Sequence, residues 1–456
     1  MAGKFHGGVH PDDAKSLSNT CAIDEMPLPS EVVLPVSQHI GAPTRIVVQK
    51  GDQVKKGHVI AEAGGFVSAP IHASISGTVK AVEPRISPLG SKIDSVVIES
   101  NGEDTWADGL DLPRDIFSMN PDKMREAIQA AGIVGLGGAA FPTHVKLSPP
   151  DNKPIDTVIL NGVECEPYST CDHLLMLERS QDIVEGFKII MRIIDCKKGI
   201  IGIEKNKPDA IKKMRKAVED VPGVKVVDLK VKYPQGGEKQ LIYALTKRKV
   251  PAGGLPMDVG CLVQNVGTAA SIYDALALNR PLIERVVTVT GNGVNNPVNV
   301  RVRLGNTVGR LIKQAGGYTE KAAKLILGGP MMGIAQFTDD VMVIKGTSCV
   351  LVMEEDQIDT KKQLPCISCA RCVEVCPMNL LSTTIAQLVE FGKLDEAKNY
   401  GILDCIECGC CTYICPAKRK LLEHIKFGKA LLARKREQEI AREKAAEEKS
   451  ETTKTS

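Results

Sequence analysis

The stretch "CISCARCVEVCP" (residues 366–377) sets cysteines at 366, 369, 372 and 376 and closes on a proline. The same spacing returns in "CIECGCCTYICP" (residues 405–416), at Cys405, Cys408, Cys411 and Cys415. Three thiolates separated by two residues each can wrap one [4Fe–4S] cubane, while the fourth is carried past it to a second cluster. That crossing predicts two ligand sets: Cys366, Cys369, Cys372 and Cys415 for one cubane, Cys405, Cys408, Cys411 and Cys376 for the other. Zinc also takes Cys₄ sites built from C-x₂-C pairs. It leaves the third cysteine of each triplet, the fourth cysteine and the prolines Pro377 and Pro416 without a purpose. Cys410 is surplus, either a spare thiol in the cluster shell or a substitute ligand.

The spacing is that of the bacterial ferredoxin run. Between the two copies, "MNLLSTTIAQLVEFGKLDEAKNYGILD" reads as two short helices, so residues 355–430 are expected to form a helical two-cluster ferredoxin domain. Clusters only relay electrons, so a source must be sought elsewhere in the chain.

The chain has 456 residues, too many for one ordinary domain. Apolar residues at 43% and charged ones at 25% fit a core-forming globular protein. A net charge of +3 with 4% aromatics argues against nucleic-acid binding, which needs clustered cations and stacking rings. No run approaches the roughly 18 apolar residues of a membrane span, and the start lacks the apolar core of a secretory signal. The protein is therefore expected to be soluble and cytoplasmic. Nine of its fifteen cysteines fall between 366 and 415, which without an export signal favours metal ligation over disulfides.

Upstream, the chain reads as a multidomain α+β protein. After an N-terminal segment (1–27), residues 28–105 carry β-branched runs broken by Gly and Pro. "VKKGHVIAEAGGFVSAPIHASISGTV" resembles the barrel-sandwich fold of biotinyl and lipoyl carriers, but its tip, "AGGFVSAP", holds no lysine to modify, which favours a structural module. Residues 120–284 alternate helix and strand, starting from Asn120 as N-cap with Pro121 behind it. Residues 285–345 read as a β-grasp unit, with ligand binding and a plain spacer both open and the spacer favoured. The charged run 431–456 is expected to be a solvated helix fraying into a disordered tail.

"VGLGGAAFPTHVK" (134–146) contains Gly135-x-Gly137-x-x-Ala140, formally a dinucleotide fingerprint, but a helix stands where that motif needs a strand. The glycines still offer crowded backbone N–H groups, and Lys146 adds charge, so the loop can cradle a phosphate or serve as a tight connection. The strand "DTVILNG" then delivers Asn161, Glu164 and Glu166 at a strand's carboxyl end, where ligands sit in open α/β sheets. Carboxylates there suit ribose hydroxyls.

"GLGGAAFPTHVKL", "LNGVECEPYSTCDH", "YPQGGEKQLIYAL" and "VQNVGTAASI" together resemble the FMN-binding, NADH-oxidising subunit family of respiratory complex I. The resemblance implies FMN surrounded by Gly135, Gly137, Lys146, Asn161, Glu164, Tyr233, Gly236, Asn265 and Thr268. It places Phe141, Glu164, Glu166 and Glu238 on the NADH side. Leu136, Val163 and Gly237 depart from the family, which has Arg, Asp and Glu there. From "FHGGVHP" to the second cysteine run, the order of parts resembles the C-subunit family of the Rnf complex, an ion-translocating ferredoxin:NAD⁺ oxidoreductase of bacterial membranes. That resemblance implies an SLBB-like β-grasp unit, hydride exchange between NAD(H) and FMN, and single electrons passing through two [4Fe–4S] clusters. It implies membrane-embedded and ferredoxin-like B subunits as partners, and a peripheral place on the cytoplasmic face of the membrane, with no residue of this chain acting as acid, base or nucleophile. A flavin–iron–sulfur cobalamin reductase of microcompartments is similar too, and a wiring scaffold without flavin is the rival of another class.

Overall fold

The computed structural model describes residues 4–454, with side-chain environments up to residue 443. The chain divides into two compact units. Of the described residues, the first holds Lys4, Pro11–Val231 and Gln235–Asp359; the second holds Phe5–His10, Lys232–Pro234 and residues 360–454.

The first unit begins with a β module of two small sheets. One orders Glu31–Pro35, Lys92–Ser100, Gly77–Ile86 and Gln53–Val54; the other orders Arg45–Ile46, Val59–Glu62 and Ile71–His72. Val32, Leu34, Ile60, Ile71, Ile75, Val79, Val96 and Ile98 fill its interior, each burial contributing about 1.5–3 kcal/mol.

Next comes a four-stranded sheet in the order Val224–Leu229, Gly199–Glu204, Thr157–Gly162 and Cys261–Asn265, every pairing parallel. The three strands Gly199–Glu204, Thr157–Gly162 and Cys261–Asn265 are almost wholly buried, as covered parallel strands are, while the edge strand Val224–Leu229 carries Lys225 and Asp228 and is mostly half-exposed. Asn120 accepts a bond from Lys123 N at 2.9 Å and caps Pro121–Ala130. Helices Ser180–Ile194 and Val266–Ala277 cross at Gly186, where an added Cβ would stand 1.8 Å from Ala269 O. Only glycine allows that approach.

A six-stranded sheet completes the unit: Asp24–Glu25, Val298–Arg303, Glu284–Thr290, Cys349–Glu354, Ala322–Leu327 and Ile334–Gln336. Two of these strands lie outside the span 285–345 read from the sequence. Asp24–Glu25 adds an edge in parallel register with Val300 and Arg301, and Cys349–Glu354 runs parallel to Glu284–Thr290 in the middle.

The second unit is helical, as the sequence implies. Ser382–Glu390 and Leu394–Asn399 fill the connector between the cysteine runs, and Ile385, Val389, Ala397, Ile402 and Ile425 form its core. The charged run expected to fray continues the helix Leu421–Lys454; residues 455 and 456 lie outside the described residues. No helix among the described residues is long and apolar enough to cross a membrane.

Candidate functional site

Within the second unit the two cysteine runs turn alike. Ser368 and Ala370 in the first, and Glu407 and Gly409 at the equivalent places in the second, all have left-handed backbone, with φ of 56°, 58°, 58° and 75°. The turn aims an amide at the leading sulfur of each run: Ser368 N donates to Cys366 Sγ and Glu407 N to Cys405 Sγ, both at 3.4 Å. Leu380 N donates to Cys376 Sγ at 3.3 Å. Amides directed at sulfur favour the thiolate, the form that ligates metal.

The fourth cysteine of each run lies close enough to the triplet of the other to add to its electrostatics. Burial pushes the Cys405 and Cys411 thiols up to about 11 and about 12, and Cys376 is among the charges that add to both shifts. Burial also raises Cys372, with Cys415 and Cys366 adding. Among the described residues no three Cys, His, Asp or Glu side chains gather tightly enough to hold a single ion. A cubane spreads its four ligands over separate iron corners, so its donors need not converge on a point. The buried Cys410 has its thiol raised, first by a hydrogen bond with Cys408 and then by burial. Its sulfur lies 4.0 Å from Tyr233 O.

The N-terminal segment braces this unit. Gly8 N donates to Val375 O at 2.7 Å, and Val9 and Tyr233 exchange backbone bonds of 2.8 and 2.9 Å. Gly7, at φ +67°, comes so close that a Cβ would stand 2.6 Å from Val375 O and 2.8 Å from Cys376 O. Tyr233, implied as a flavin neighbour, is placed in this second unit; the other implied flavin residues belong to the first.

In the first unit the flavin-type residues meet at the carboxyl edge of the parallel sheet. Asn161 and Asn265 are partners in register there. Asn161 Nδ2 donates to Gly236 O at 3.0 Å. Asn265 Oδ1 caps Val266–Ala277 by accepting Gly267 N and Thr268 N, and its Nδ2 donates to Asp172 at 2.6 Å. The glycine loop lies over this edge. Gly135 N donates to Phe141 O at 2.8 Å, and Leu136 N donates to Thr268 Oγ1 at 2.9 Å. Gly137, Gly138 and Ala139 are exposed; a Cβ on Gly137 would sit 3.4 Å from the Asn265 side chain, and one on Gly138 would meet open space. Bare backbone beside a helix N-terminus and two side-chain amides fits a flavin with its phosphate.

Lys146 Nζ pairs with Glu238 Oε1 at 2.6 Å, both half-buried, so the cation read as a phosphate partner already faces a carboxylate. The two strand-end glutamates are also engaged. Glu164 Oε1 accepts Asp172 N at 2.7 Å, and Glu166 Oε1 accepts Met331 N and Met332 N at 3.1 and 2.7 Å. Acidic residues at a strand end say nothing of these amides, which fold back from the next helix and from the β-grasp unit.

Sequence reasoning missed the buried charges beneath. Lys15 Nζ donates to Glu166 O and Ser169 O at 3.1 and 2.5 Å. Lys207 Nζ donates to Val163 O at 2.8 Å, and burial lowers it to about 8. Burial first, then the charge of Glu164, raises the Asp172 carboxyl above the usual range. Arg285 of the β-grasp sheet donates from Nη2 to Leu136 O at 3.2 Å. The sequence signal nearest to it is the departure at Leu136, where the related family has Arg.

Family models match four consecutive spans: an RnfC barrel sandwich hybrid domain at 3–103, a Nuo51 FMN-binding domain at 128–274, an SLBB domain at 286–335 and a 4Fe-4S dicluster domain at 357–416. The chain is 49% identical over 431 residues to the C subunit of the proton-translocating ferredoxin:NAD(+) oxidoreductase complex of Clostridium ljungdahlii, covering 94% of each. It is 45% identical to the Na(+)-translocating counterpart of Acetobacterium woodii, covering 94% of this chain and 96% of that one. It is 41% identical to the C subunit of the ion-translocating oxidoreductase complex of Rhodobacter capsulatus, covering 94% and 83%. Near-full-length identity at this level, over four domains in one order, leaves one conclusion: the chain belongs to the family of the C subunit of Rnf-type, ion-translocating ferredoxin:NAD(+) oxidoreductase complexes.

Proposed function

We propose that the chain is the nicotinamide-handling subunit of such a complex, and that it converts between paired and single electrons. When bound, a flavin accepts hydride from a nicotinamide and releases electrons singly, and [4Fe–4S] clusters carry them one at a time. The chain's own residues bind and orient. Asn161, Asn265, Thr268 and the bare Gly135–Ala139 backbone would hold FMN at the sheet's carboxyl edge; Phe141 and the Lys146–Glu238 pair would border the nicotinamide. Glu164 and Glu166 would serve chiefly by fixing the loop between them, since each already accepts backbone amides. The cysteine sets Cys366, Cys369, Cys372, Cys415 and Cys405, Cys408, Cys411, Cys376 would hold one cluster each. Partner subunits would take the electrons and supply the membrane attachment, on the cytoplasmic face.

One observation carries this reading: a flavin-type loop over an amide-lined sheet edge and two like-folded cysteine runs occur in a single chain. The test is anaerobic purification followed by analysis of acid-released flavin, iron and the visible spectrum on adding NADH. FMN, about eight irons and bleaching by NADH are the expected result. Iron without flavin would overturn it in favour of a wiring scaffold.

A further inference from the structure

Among the described residues, no ion pair within salt-bridge distance accompanies the buried Arg285. It opens the β-grasp unit in the strand Glu284–Thr290 and is only 5% exposed. Its Nη2 donates to Leu136 O, while Nε and Nη1 are buried without a hydrogen-bond partner. Leaving charged donors dry and unpaired is costly. Of the two acids that act on it, Cys171 comes first and burial holds its thiol protonated; Asp172 comes second, spends Oδ2 on Asn265 and is itself raised towards neutrality. Glu284, the preceding residue, is taken up by Arg301 and Arg303.

The carbonyl that Arg285 holds belongs to the glycine loop. The amide of that same residue, Leu136, is held by Thr268 in the first turn of Val266–Ala277. Arg285 therefore lies under the loop, one residue from both the helix N-terminus and the exposed Gly137–Ala139 backbone. We propose that Arg285 is the cationic partner of the flavin's phosphomonoester, so that the β-grasp unit completes the flavin site and is more than a spacer. The dianion would take up one idle donor, Nε or Nη1, together with the second N–H of Nη2, in one of the two bidentate forks that guanidinium offers. Lys146 is the weaker candidate because Glu238 already balances it. The inference rests on the FMN reading above.

The test compares FMN with riboflavin, which lacks the phosphate, on full-length protein stripped of flavin, by fluorescence quenching. In Arg285→Gln, FMN affinity should fall by about tenfold to a hundredfold, the worth of a charge-assisted bond, while riboflavin affinity stays as in the parent. Arg285→Lys should recover part of the loss. Equal weakening for both ligands would mark Arg285 as merely structural and overturn the inference, and so would unchanged FMN affinity. If Arg285→Gln fails to fold, Arg285→Lys alone decides by the same FMN-to-riboflavin ratio. A parent protein that binds neither flavin would instead sink the FMN reading itself.

Discussion

Asn161 and Asn265 stand side by side in register at the carboxyl edge of the parallel sheet, and both side chains are held before any ligand arrives. Asn265 does two things at once: it caps a twelve-residue helix and presents its amide beside Gly137. Asn265→Ala should cost about 1 kcal/mol through the lost cap and also reduce FMN retention. Asn265→Ser restores a capping oxygen without the amide. It should recover most of the thermal midpoint but not the flavin. Equal recovery of both would show that the residue acts on flavin only through the cap.

Lys146→Ala removes the partner of Glu238 at 2.6 Å and leaves a half-buried carboxylate alone in the cleft. FMN retention should fall by less than about tenfold, the range of a single partly exposed interaction, with cluster absorbance intact. FMN and riboflavin should weaken alike, unlike the pattern set out for Arg285. A loss confined to FMN would place the phosphate at Lys146 instead.

What was legible in the sequence is what short spacing controls. The cap at Asn120, the strand of residues 157–162 and the twin cysteine runs are each set within a few residues, and the chain folds there as the spacing implies. The illegible contacts join positions far apart in the chain. Asp24 pairs with Val300, Arg285 reaches Leu136, and Glu166 meets Met332. No local pattern encodes such approaches, because they are fixed only when whole domains pack. The strand-end glutamates show the consequence: residue type suggested ribose, and packing gave them backbone amides.

The cluster module offers a contrast between ligand and brace. Cys369→Ser should remove about half of the iron and spare flavin reduction by NADH, since in the proposed ligand sets it serves one of two cubanes. Loss of NADH bleaching as well would mean that this cubane is needed for folding. Gly7→Ala changes no cysteine, yet its Cβ would stand 2.6 Å from Val375 O and 2.8 Å from Cys376 O in a left-handed conformation, a strain of about 1 kcal/mol before any clash. It should speed the loss of iron to a chelator. An unchanged rate would show that the N-terminal segment does not brace Val375–Cys376.

Acid should weaken the N-terminal β module through His72. The ring is fully buried; burial first, then the charge of Lys345, lowers it to about 3, against about 6.5 in an unfolded chain. Between those values the unfolded chain binds a proton that the folded one refuses, so stability rises with pH there and falls as pH drops below 6.5. The slope approaches about 1.4 kcal/mol per pH unit for one such group. His72→Leu loses the bond to Ala130, so its midpoint near pH 7.5 need not match the parent. Its acid dependence should nonetheless be flatter between pH 6.5 and 4.5, measured as the thermal midpoint of the full chain at each pH. Parallel curves across that window would mean that His72 is not the group whose burial makes the fold acid-labile.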